Sequence, residues 1–93
     1  MRNYKKYRSF ILTLFADFLA NKINENALMQ GLFAVERDLQ GNIMRTFKSL
    51  WFKFYKDDTL VTDLDDIQSD WNWSKDKMQI AIDNPKGFQI YYS

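Results

Sequence analysis

The sequence predicts a mainly α fold: an antiparallel bundle of three helices closed by a C-terminal element. That element is either a fourth short helix or a β-hairpin, which would make the fold α+β. Two observations predict the bundle. Between Phe10 and Leu39 two apolar stripes follow one another, separated by a short polar break. Behind Asn42 a third stripe begins, made of Ile43, Met44, Phe47, Leu50, Trp51, Phe54 and Tyr55. With 93 residues, 46% hydrophobic and 17% aromatic content, the chain is rich enough in apolar surface to fold as one domain over residues 1–93.

The first stripe, Phe10, Ile11, Leu14, Phe15, Phe18 and Leu19, falls on one face only with a period of 3.6 residues. Tyr4 and Tyr7 continue it backwards, so the first helix is expected to begin as early as Asn3. Asn21 suits a left-handed helix end and Asn24 suits an N-cap. Leu28, Met29, Leu32, Phe33, Val35 and Leu39 form the second stripe. Gly31 interrupts that helix at a cost of about 1 kcal/mol relative to Ala, and a close approach of the first helix is the expected reason. Gly41 then ends it at positive φ.

The third helix is expected to run from Asn42 to about Tyr55 and to stop at Asp57-Asp58, where carboxylates meet the negative end of the helix dipole. Leu60, Leu64 and Ile67 allow one helical turn beyond it, and Trp71 and Trp73 suit an extended segment. The C-terminus has two readings. Met78, Ala81 and Ile82 share a helical face behind Ser74, with Pro85 as the stop. Alternatively Met78, Ile80 and Ile82 pair with Phe88, Ile90 and Tyr92 across Asn84-Pro85-Lys86-Gly87, a type I turn followed by glycine at positive φ.

The net charge of +1 conceals an asymmetry. Residues 1–56 hold ten Lys/Arg against four Asp/Glu, whereas residues 57–76 hold seven Asp against one Lys. A basic helical body thus carries an acidic segment. The chain has no histidine and no cysteine, which removes Ser/His/Asp and Cys/His triads, ordinary zinc sites and disulfides. Asp63-Leu64-Asp65-Asp66 lacks the ligand alternation and glycine of a calcium loop, and with three glycines there is no phosphate loop. No enzyme activity, metal or cofactor is expected. No apolar run reaches the about 18 residues of a membrane span, and the basic N-terminus lacks a cleavage site behind it, so a soluble cytoplasmic protein is expected.

Two surfaces point to partners. The acidic segment reads either as a solvated linker or as a recognition surface, in which Asp63, Asp65, Asp66 and Asp70, next to Trp71 and Trp73, fit a basic protein partner, with carboxylates steering association and indole rings anchoring it. A nuclease or toxin, basic where it holds nucleic acid, has that chemistry. Arg2, Lys5, Lys6 and Arg8 with Tyr4 and Tyr7 provide the alternative, a nucleic-acid-binding face on the N-terminal helix.

Leu14-Phe15-Ala16-Asp17-Phe18-Leu19-Ala20-Asn21-Lys22-Ile23, followed by a helix ending Val35-Glu36-Arg37-Asp38-Leu39, resembles the opening helix pair of the colicin D immunity family of small bacterial proteins. Asn42-Ile43 opening a third helix, Asp57-Asp58 closing it, and Trp73-Ser74 ahead of Met78 and Ile82 extend the resemblance over residues 10–83. It implies an antiparallel four-helix bundle that neutralises a cognate toxin nuclease by covering its basic active site with carboxylates. The family's toxin-contacting acids have no one-to-one counterparts in this chain, so the aspartates above rest on charge density alone. A phage-encoded, anti-CRISPR-like inhibitor of a host defence nuclease would use the same surface chemistry.

Overall fold

The computed structural model describes residues 2–41, 50–66 and 75–92, with side chains over 4–41, 50–61 and 75–92. Among these residues the chain forms three α-helices and a four-stranded antiparallel sheet. In chain order they are β1 (Arg2–Asn3), α1 (Arg8–Leu19), α2 (Glu25–Gln40), β2 (Leu50–Lys56), β3 (Thr59–Asp66), α3 (Lys75–Asp83) and β4 (Phe88–Tyr92). The strand order is β1-β4-β2-β3. The fold is α+β, which corrects the expected helical bundle and the four-helix bundle that the family resemblance implies.

The helical hairpin forms where its residue pattern places it. Asn24 Oδ1 accepts from the Ala27 N–H at 2.8 Å and caps α2. Asn21 ends the preceding turn at φ 59°, and Gly41 ends α2 at φ 60°. Gly31 lies against Leu14, whose Cδ1 would stand 2.6 Å from a Cβ added there. Tyr7 at the start of α1 meets Asp38 near the end of α2. Contacts at 7/38 and 14/31 are those of two antiparallel helices. The helix begins later than its stripe predicts, at Arg8. Before it, Tyr4 N–H donates to the Ile90 carbonyl at 2.7 Å and Lys5–Tyr7 form a 3₁₀ turn, so the segment belongs to the sheet edge. Phe10, expected on the apolar face, is 48% exposed.

The expected third helix is the principal correction. Its first part, residues 42–49, lies outside the described residues, and its second part is strand β2. Leu50, Phe52 and Phe54 are buried, while Trp51, Lys53 and Tyr55 are half-buried on the opposite face. That is an alternation of two, and aromatic residues favour it on a pleated surface. Residues 57–58 form the hairpin turn, and the helical turn considered at Leu60 is strand β3. At the C-terminus each reading holds for one half. Met78 and Ala81 are buried on α3, whereas Phe88, Ile90 and Tyr92 are buried along β4. β4 pairs with β2, from Leu50↔Tyr92 to Phe54↔Phe88, and not with residues 78–82.

The core lies between the helices and one face of the sheet. Phe15 of α1 contacts Phe52 and Phe88 at ring-centroid separations of 6.3 and 5.5 Å, and Phe54 joins Phe88 at 5.3 Å. Two polar contacts hold helix to strand at the core's rim. Leu50 N–H donates to Glu36 Oε2 at 3.0 Å, and Arg8 Nε donates to the Phe88 carbonyl at 3.1 Å.

Gly87 is needed for space and not, as its sequence context predicts, for positive φ. A Cβ there would stand 2.5 Å from Asn84 Nδ2 and 3.0 Å from the Tyr55 carbonyl oxygen. Gly87→Ala should therefore destabilise by about 1–3 kcal/mol, read from urea unfolding. The Tyr7 hydroxyl donates to the Asp38 carboxylate; that bond, with burial second, pushes the phenol up from 10.0 to about 12. The fold favours the protonated phenol, so this contribution to stability is complete below pH 10 and is lost as pH rises through about 12. Asp38→Asn should bring that ionisation back toward the ordinary tyrosine range in an ultraviolet titration.

Candidate functional site

The β2–β3 hairpin is the part of the fold on which the acidic segment is displayed. Lys56 and Thr59 close it around Asp57-Asp58, with Asp57 at φ 56°. Aspartate enters that region more readily than most residues. Asn84, just after α3, fixes the turn from below. Its Nδ2 donates to the Tyr55 carbonyl at 3.0 Å and to the Asp57 carbonyl at 3.4 Å. The hairpin tip is therefore tied to the end of α3, and α3 brings its own carboxylates with it.

Two open grooves flank the tip. One, of about 400 Å³, lies among Tyr55, Asp58, Lys86 and Gln89. The other, of about 530 Å³, lies between the turn and α3, among Asp57, Asp76, Ile80 and Asp83. Asp57, Asp58, Asp76 and Asp83 are all exposed here, with Lys56 and Lys86 as the opposing charges. This end of the molecule is acidic.

Asp63, Asp65 and Asp66 lie further along the same strand. β3 is a terminal strand of the sheet, and its register places Asp65 opposite Phe52 and Asp66 opposite Trp51. The structure thus brings three of the expected site residues onto one sheet edge, continuous with the acidic tip. Asp70, Trp71 and Trp73 lie outside the described residues. Asp57 and Asp58, read from sequence as a helix stop, are part of the acidic surface instead, and Asp76 and Asp83 join it through α3. The signal for Asp57 and Asp58 was present: a polar pair between two runs rich in aromatic and β-branched residues marks a hairpin.

The basic N-terminal surface is not built as expected. Arg2 lies on β1, Lys5 and Lys6 on the 3₁₀ turn and Arg8 on α1, so the four cations do not share a helix face. Tyr4 and Tyr7 pack against the core, Tyr4 edge-on to Tyr92 at 6.4 Å. On the sheet face away from the helices, Trp51, Tyr55 and Tyr91 are half-buried, and Lys53 Nζ stands 5.6 Å from the Tyr91 ring centroid.

Among the described residues, no group of three His, Cys, Asp or Glu side chains is placed to hold a metal ion, and no helix is long and apolar enough to cross a membrane. No family model, curated protein or solved structure matches the chain.

The turn geometry allows charge and conformation to be separated. Asp57→Val should lower stability by about 1–2 kcal/mol, because a β-branched residue resists positive φ. Asp57→Gly should keep the fold while removing the carboxylate. Thermal unfolding of the two variants checks this.

Proposed function

We propose that this chain is a small inhibitor that binds a basic protein partner and occludes its nucleic-acid-binding surface. A toxin nuclease neutralised in the cytoplasm is the first choice of partner. The observation that carries the reading is the acidic end of the sheet: β3 with Asp63, Asp65 and Asp66, continuous with the tip at Asp57 and Asp58. A nuclease holds phosphates with Lys and Arg, and a surface of closely spaced carboxylates competes for those cations. The rest of the molecule reinforces the arrangement. Net charge is +6 over residues 1–56 and −6 over residues 57–76, so the chain carries a strong internal charge separation. Carboxylates concentrated in one stretch favour encounter with a basic surface.

No catalytic step is required of this chain; inhibition by occlusion is stoichiometric. A toxin from a competing cell and a host defence nuclease present the same chemistry, so the identity of the protein inhibited separates an immunity protein from a phage-encoded inhibitor.

The test is capture on tagged chain from nuclease-treated lysate, followed by assay of the captured enzyme with purified chain added back. Full inhibition at one chain per enzyme is the expected result, and an enzyme that stays active in the complex would exclude occlusion. Asp63→Asn with Asp66→Asn should slow association by about tenfold at low salt and much less at high salt, read by stopped-flow binding.

A further inference from the structure

The two edges of the sheet differ in length. At one edge β1 is only two residues long, Arg2–Asn3, and so short a strand offers little to pair with. At the other edge β3 runs for eight residues, Thr59–Asp66. Among the described residues no strand pairs with its outer side. Alternate backbone N–H and C=O groups of an antiparallel edge strand point away from its neighbour. Over about 26 Å of strand at about 3.3 Å per residue, that is a row of donors and acceptors.

The first half of β3, Thr59-Leu60-Val61-Thr62, has the composition of a strand that pairs readily. Leu60 and Val61 are 41% and 42% exposed. β3 contains no Pro, Lys or Gly to blunt it. Two register shifts against β2 add twist, which works against flat stacking of many chains. Its second half holds three aspartates, and the turn ahead of it holds two more. Those charges discriminate among possible occupants. A second copy of the chain would bring its own three β3 aspartates to the same edge and no Lys or Arg to meet them. An acidic or neutral strand gains nothing from them. A strand bearing Lys or Arg at alternate positions satisfies the backbone and the carboxylates together.

We infer that β3 is a docking edge for an extended, basic segment of the partner protein, which adds to the sheet as a fifth strand beside Thr59–Asp66. The inference rests on the proposed inhibition of a basic protein and specifies how that protein is gripped. Main-chain hydrogen bonds supply affinity, and the aspartates select for cationic side chains. Leu60 and Val61 provide apolar contact at the start of the strand.

Three synthetic peptides of about eight residues, a typical strand length, test it on the isotopically labelled chain: alternating Lys-Thr, alternating Glu-Thr, and alternating Lys-Pro. The last has the charge of the first, but its prolines lack N–H groups and hold φ near about −65°, far from the about −140° of an antiparallel strand, so it pairs poorly along a sheet edge. The Lys-Thr peptide should slow hydrogen exchange at alternate amides of β3 by about tenfold or more near saturation, as added strand pairing predicts. The Glu-Thr and Lys-Pro peptides should leave those amides unchanged. The triple variant Asp63→Asn, Asp65→Asn, Asp66→Asn, confirmed folded by circular dichroism, should bind Lys-Thr about tenfold more weakly. Equal protection by Lys-Thr and Lys-Pro would overturn the inference in favour of plain charge attraction, and so would the absence of any protection. The two readings fail separately. A nuclease inhibited by a chain whose β3 amides stay unprotected leaves occlusion standing and removes the docking edge. Strand addition by the peptide without inhibition of any captured enzyme does the reverse.

Discussion

The packing of four phenylalanine rings is the contact on which the rest of this structure depends. Phe15 comes from α1, Phe52 and Phe54 from β2, and Phe88 from β4; all four are completely buried. Their rings meet in edge-on or tilted pairs at 5.3–6.4 Å, the geometry that aromatic quadrupoles prefer. Truncating one such ring typically costs about 3–5 kcal/mol, a large share of what a domain of this size has to spare. This cluster joins the helical hairpin to the two inner strands. Because β2 is held there, its hairpin partner β3 can be presented at the edge of the sheet.

The acidic end depends on that anchoring in a second way. Asn84 ties the Asp57 turn to the end of α3, and Met78 and Ala81 bury α3 against the same core. Asp57, Asp58, Asp76 and Asp83 are therefore carried on anchored elements while their side chains stand in water. That arrangement lets a chain concentrate like charge without unfolding itself. The repulsion is paid in solvent, where it is screened, and not in the interior.

The helical hairpin was legible from residues 10–41 because every local signal there agrees. Stripe spacing, Asn21, the Asn24 cap, the close approach at Gly31 and the positive φ at Gly41 all describe one object. Residues 50–56 were misread because their apolar residues fit two periods. Leu50, Trp51, Phe54 and Tyr55 satisfy a helix, while Leu50, Phe52 and Phe54 satisfy a strand. Phe52, which widens the helical arc, is the residue that decides, since a strand places it with its alternating neighbours and a helix leaves it aside. The Lys-Asp-Asp-Thr turn behind it agrees with the strand. The acidic site was legible in composition but not in outline. A helix stop and a hairpin tip call for the same polar residues, so only the pairing of β2 with β3 shows that Asp57 and Asp58 belong to the surface. Asp76 and Asp83 reach it through a helix whose position no local pattern reveals.

The sheet order has a consequence for how this chain reaches its native state. β4, the final element in chain order, is an inner strand, flanked by β1 from the opposite end of the sequence and by β2 from the middle. During synthesis the helical hairpin can form from local contacts soon after it emerges. The sheet cannot close around its own centre until Phe88–Tyr92 have left the ribosome. Until then the β2–β3 hairpin lacks the strand that pairs with the other side of β2. Pairing with Phe88–Tyr92 then covers that side of β2 and, among the described residues, leaves β3 as the long edge.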